Sequence, residues 1–153
     1  MGTISEFVDV DVPLHTAYNQ WTQFEEFPQF MEGVEQVTQV DDRHNHWVTN
    51  VAGSRREFDT EIVDQLPDER VAWRTLSGDV RQRGVVTFQR LDRTRTRVNL
   101  AMEVETSGLA EKAADALGVL DRRTRGDLRR FKDWIEERGT ESGGWRGRVA
   151  PGG

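Results

Sequence analysis

The residues able to do chemistry in this chain are few. It has 153 residues, no cysteine, three histidines and one tyrosine, Tyr18. Thiolate nucleophiles, thiolate metal sites and disulfides are therefore excluded. His44 and His46 are two apart, beside Asp41 and Asp42. In an extended chain both imidazoles point the same way, as a metal site needs. No third ligand is spaced to join them, and exposed turn histidines are the commoner case. His15 reads as a surface residue near the start of a helix. There is no Gly-x-Ser-x-Gly elbow and no glycine-rich phosphate loop after a strand. Asp59 and Glu61 pair in sequence but fall on a face assigned to water. Thr60 and Thr75 fall on apolar stripes. A hydroxyl there would orient a ligand, as a few placed polar groups do in a pocket, although threonine is also an ordinary strand residue.

Composition narrows the partners. Acidic residues number 27 against 21 basic ones, a net charge of −6. Phosphate binding needs a basic footprint, so nucleic acid is not expected. No apolar run approaches the ~20 residues of a membrane span, and the first residues lack the pattern of a signal peptide. A cytoplasmic protein without stable membrane insertion is the expectation. No cofactor or metal is implied. Oligomeric state is open.

The elements that must position these residues follow from periodicity. Residues 3–12 alternate as a strand, and Pro13 suits the first turn of a helix over 14–24. Residues 27–33 read as a second short helix ending at Gly33. Strands follow over 34–40, 47–52, 57–66, 70–76, 80–91 and 98–105. They are joined by polar turns, including 41–45, which implies an antiparallel meander. The last element is an amphipathic helix over 109–138. Its apolar positions Leu109, Ala113, Leu117, Leu120, Leu128, Phe131 and Ile135 recur in steps of three and four. Thirty helical residues span about 45 Å, the width of a small domain. The order is α+β, and the first strand is expected beside the last, closing a partial barrel. Gly139 onward carries too little apolar surface for a core, so residues 1–138 are read as one domain and 139–153 as a disordered tail.

A curved sheet under one long helix leaves room for a cavity. Phe58, Trp73, Phe88 and Met102 alternate onto the face turned toward the helix, either as cavity lining or as plain core. Gly118 and Gly126 interrupt the helix and suggest a kink, a gate over 109–118, or a break. Arg122, Arg123, Arg125, Arg129 and Arg130 interleave with acids, which fits a solvated helix face laced with ion pairs.

One further pattern points to a family. Val12-Pro13, the run Tyr18-Asn19-Gln20-Trp21-Thr22-Gln23-Phe24-Glu25-Glu26-Phe27-Pro28-Gln29-Phe30-Met31, then Val34, Ile62, Trp73, Gly84-Val85-Val86-Thr87-Phe88 and Asp127-Leu128-Arg129-Arg130-Phe131-Lys132 carry a resemblance. The chain resembles the polyketide cyclase/dehydrase and coenzyme-Q-binding branch of the START-like (SRPBCC) superfamily. The resemblance implies a helix-grip fold: a curved antiparallel sheet of about seven strands around a long C-terminal helix, with two short helices after the first strand. It also implies an apolar ligand (quinone, polyketide or lipid-like) held between sheet and helix by a carrier or sensor. The ligand contacts expected are Met31, Phe58, Thr60, Trp73, Thr75, Phe88, Met102, Leu117 and Leu120. Cyclase members use a tyrosine and an arginine inside the cavity. Here Tyr18 sits on the first helix, and no strand arginine falls on the apolar stripe. Alternatives are a polyketide cyclase/dehydratase in the same cavity, or a chaperone-like partner of a respiratory or biosynthetic complex.

Overall fold

The computed structural model describes residues 2–51, 53–78, 81–105 and 113–150. Seven strands form one sheet among these residues: β1 (Gly2–Val10), β2 (Val34–Gln39), β3 (His44–Val51), β4 (Ser54–Leu66), β5 (Arg70–Gly78), β6 (Gln82–Asp92) and β7 (Arg95–Val104). The order across the sheet is β1-β7-β6-β5-β4-β3-β2. Every neighbour is antiparallel. As expected, the first strand lies beside the last, from Gly2 opposite Val104 to Val10 opposite Thr96. The sheet curls into a half-barrel.

The helix α1 (Leu14–Trp21) is entered through Pro13 in extended conformation. It ends sooner than the apolar spacing suggests. The aromatics Phe24, Phe27 and Phe30 recur every three residues; the first two lie on a 3-10 segment, Phe24–Gln29, and Phe30 caps its end, so the three-residue turn aligns them. The second short helix is thus shifted upstream of residues 27–33.

The long helix α2 (Ala113–Arg138) is continuous through Gly118 and Gly126, without the break the glycines suggest. Leu109 and the rest of the expected first turn lie outside the described residues. The helix runs along β1 in the same direction. Leu117 sits on Gly2, where an added Cβ would fall 2.3 Å from Leu117 Cδ1. Farther along, Arg125 Nε lies 3.6 Å from Glu6 Oε1, and Asp11 N–H donates to Glu136 Oε2 at 2.7 Å.

The core fills the end of the grip where α2 finishes. Leu128, Phe131 and Ile135 are buried there with Val10, Tyr18, Trp21, Phe27, Phe30, Phe88 and Val98. The Phe131 ring lies 5.0 Å from Trp21 and 5.1 Å from Phe30, both edge-on, the geometry aromatic quadrupoles favour.

The segment after α2 departs from the expected disordered tail. Residues 139–150 lie as a strap across α1 and the end of β4. Ser142 N–H donates to Gln20 Oε1 and Gln20 Nε2 donates to Ser142 Oγ, at 2.7 and 3.0 Å. Trp145 N–H donates to Thr22 Oγ1 at 3.0 Å. Val149 is buried and exchanges both backbone hydrogen bonds with Gln65, at 2.8 and 3.0 Å. The physical reason is polar as much as apolar. The Gln20 and Thr22 side chains are buried and need partners, and the strap supplies them; it also pairs with the backbone of the buried Gln65.

Candidate functional site

Cross-strand partners share a face of a sheet, so the register identifies what α2 covers. Ile62, Trp73, Gly84, Met102 and Ile4 are successive partners on β4, β5, β6, β7 and β1. Asn45, Thr60 and Thr75 form the neighbouring row on β3, β4 and β5, and Trp47 and Phe58 the next. Val104, beside Met102 on this face, pairs with the Gly2 that carries Leu117. These rows therefore face α2.

Burial differs along the grip. Under the second half of α2 the inward side chains are closed off. Beside its first half, Trp73, Thr75, Met102, Leu117 and Leu120 face inward or lie on the helix's apolar stripe, yet all keep intermediate exposure. Solvent reaches them. Phe58 and Thr60 are buried at the margin of this region. Phe58 stacks on Trp47 at 5.9 Å, nearly parallel, and Trp47 Nε1 donates to Thr60 Oγ1 at 2.9 Å. Phe88 lies apart, in the closed core, 5.4 Å from the Tyr18 ring. Met31 lies beyond the 3-10 segment, half-buried against the core.

Three inward groups escape the sequence reading. Asn45 is 2% exposed and its Oδ1 has no hydrogen-bond partner. Residues 41–45 read as a polar turn, but β3 already begins at His44. Alternation with Trp47 was the available signal. Trp47 itself is the second. Arg123, on α2, is the third: its Nη1 is buried without a partner. One turn on, Asp127 accepts from Glu32 N–H at 3.1 Å and from Arg130. Burial pushes the Asp127 carboxyl above the usual carboxylate range, against the pull of Arg130.

The lone tyrosine is enclosed. Tyr18 is fully buried, its hydroxyl accepts from Gln65 Nε2 at 3.0 Å, and Arg146 stands 5.6 Å from its ring. Burial raises its pKa.

A half-open depression of about 330 Å³ lies where β5 and β6 part. Their pairing ends at Arg74 opposite Arg83. Beyond that point Gly78 stays with Phe58 on β4 and Gln82 with Val104 on β7. Of the expected ligand contacts it is lined by Thr75 alone. Its arginines face carboxylates: Arg74 with Glu61 at 3.0 Å, Arg83 with Glu103 at 2.7 Å and Arg81 with Glu105 at 3.8 Å.

His44 and His46 do point the same way, on the convex face. His44 meets Asp41 at 2.8 Å and Glu61 at 3.4 Å. His46 meets Asp59 at 2.8 Å and Glu57 at 3.0 Å. Asp59 and Glu61 thus lie on the outer face assigned to them. No helix among the described residues is long and apolar enough to cross a membrane.

This architecture is the helix-grip, START-like fold. Similar folds include a START superfamily protein from Mycobacterium smegmatis (TM-score 0.65, 17% identity, covering 84% of this chain and 98% of that one). The Zhui aromatase/cyclase from Streptomyces sp. R1128 is another (TM-score 0.77, 19% identity, 94% and 99% covered). An uncharacterized 17.2 kDa protein in the melC2-rnhH intergenic region of Streptomyces lincolnensis is 57% identical over 149 residues, 97% of this chain and 99% of that protein. Residues 10–133 match the family described as polyketide cyclase / dehydrase and lipid transport, and the chain belongs to it.

Proposed function

We propose that the protein binds an apolar, ring-bearing small molecule (a quinone, polyketide or lipid-like compound) between the sheet and the first half of α2, as a carrier or sensor. The observation that supports this is the set of side chains that face inward or lie on the helix's apolar stripe yet remain open to solvent: Trp73, Thr75, Met102, Leu117 and Leu120. Apolar groups left accessible inside a grip lower their free energy by closing on an apolar guest. At about 25 cal/mol per Å², covering some 200 Å² of ligand contributes about 5 kcal/mol before association costs. Native mass spectrometry of freshly purified protein tests this by detecting a co-purified apolar ligand. Titration with 1-anilinonaphthalene-8-sulfonate gives a second readout. Trp73→Ala should weaken that probe severalfold while circular dichroism stays unchanged. Unchanged affinity in the folded variant removes Trp73 from the site.

A cyclase or dehydratase working in the same place is the second reading. It is favoured by membership in a family described by those activities and by the buried, partnerless Arg123 Nη1 beside Asp127. A folded polyketide would need a proton donor or acceptor at the reacting carbons. Tyr18 does not offer one, since it is enclosed with Gln65. Binding without turnover therefore accounts for more of the geometry.

A further inference from the structure

We infer that Asn45 and Thr60 form a donor–acceptor pair that recognises a ring hydroxyl on the ligand. This rests on the binding reading above and goes further, since it specifies the polar chemistry of the guest.

The two residues are direct partners across β3 and β4, which places their Cβ atoms about 5 Å apart on one face. Each is only 2% exposed. Asn45 Oδ1 is buried and unpaired, a situation native proteins rarely leave uncompensated. Thr60 Oγ1 already accepts from Trp47 Nε1 at 2.9 Å. The indole fixes that oxygen and leaves the hydroxyl hydrogen to be donated, since no acceptor for it is seen among the described residues. One acceptor and one donor thus stand side by side. A ring hydroxyl satisfies both: its hydrogen goes to Asn45 Oδ1, and its oxygen accepts from Thr60. A plain hydrocarbon satisfies neither. A ketone satisfies only Thr60.

The neighbourhood fits a flat ring. Thr75 and Trp73 continue the face on β5, and the parallel Trp47–Phe58 stack bounds it on the other side. A second partnerless buried acceptor, Gln65 Oε1, lies in the closed core, where Gln65 Nε2 donates to the Tyr18 hydroxyl, and not on the Asn45–Thr60–Thr75 row. Thr75 Oγ1 accepts from Gln82 N–H at 3.1 Å.

Naphthalene and 2-naphthol, matched but for one hydroxyl, test this by isothermal titration calorimetry on the full chain. The expected result is naphthol binding about tenfold tighter than naphthalene, the scale of one well-made buried hydrogen-bonding group. Asn45→Ala should bring the two probes within about twofold while naphthalene affinity holds. Thr60→Val keeps the shape of the side chain and should remove part of the preference. It serves as the readout if Asn45→Ala fails to fold. A wild type that binds both probes equally overturns the inference, leaving Asn45 Oδ1 to a buried water. A preference that survives in both folded variants overturns it as well. If neither probe binds at all, the apolar-binding reading falls, and the hydroxyl pair falls with it.

Discussion

Trp73 lies directly over Gly84. A Cβ built on Gly84 would come within 2.7 Å of Trp73 Cζ2, 2.8 Å of Cη2 and 2.8 Å of the Ala101 carbonyl oxygen. The indole therefore crosses from β5 onto β6 because β6 presents no side chain there. The glycine sets the direction of the largest side chain in the open part of the grip. Gly84→Ala should swing the indole off β6 and destabilise the fold by about 1–3 kcal/mol, as overpacking does where backbone is the obstacle. The check is a urea midpoint together with a shift in tryptophan emission. An unchanged emission maximum in a folded variant defeats this account of the contact.

The two halves of α2 should respond differently to truncation. Phe131 is fully buried between Trp21 and Phe30, so Phe131→Ala should remove about 3–5 kcal/mol. Leu117 is half-exposed and lies against Gly2. Leu117→Ala should fall well below the 2–5 kcal/mol typical of a buried leucine. Chemical denaturation of both variants measures this, and equal losses would mean that α2 is gripped evenly along its length.

Deleting residues 140–153 should destabilise the protein by at least about 2 kcal/mol, the scale of burying one aliphatic side chain. The deletion strips Val149 and its two backbone bonds from Gln65 and the partners of Gln20. It also removes Arg146 from Asp68 and from the Tyr18 ring. A dangling tail would leave the denaturation midpoint where it was.

What the sequence makes legible here is periodic. Val98, Leu100, Met102 and Val104 alternate, and β7 places them all on the concave face opposite β1. Leu128, Phe131 and Ile135 recur at helical spacing, and all three are buried. What stays hidden is set by single contacts that no period records. Asn45 is polar in a polar stretch, so its inward direction emerges only once β3 is paired with β4 from His44 onward. The strap has the composition of a linker, and its order comes from meeting the buried Gln20 side chain and the backbone of Gln65. The aromatics of the 3-10 segment do show their three-residue spacing, yet Pro28 sits inside that segment and not at its start.

The convex face should make stability depend on pH through His46. Hydrogen bonds from the imidazolium to the Asp59 and Glu57 carboxylates raise the His46 pKa above its ordinary 6.5. The same contact lowers that of Asp59, with Ser77 Oγ adding a second bond at 3.1 Å. A cationic partner held in the folded state binds its proton more tightly there than in the unfolded chain. Its contribution is therefore complete below about pH 6.5 and is lost as the pH climbs through the raised value in the folded protein. The imidazole is 36% exposed, so solvent screens the pair and the effect is small. Thermal melts of wild type and His46→Gln between pH 5 and 9 separate this group from the rest. The wild type should lose melting temperature on the alkaline side of 6.5 relative to the variant. High salt should shrink the difference, because the interaction is between exposed charges. Parallel curves for the two proteins across that range would mean that the His46–Asp59–Glu57 cluster contributes nothing to folding.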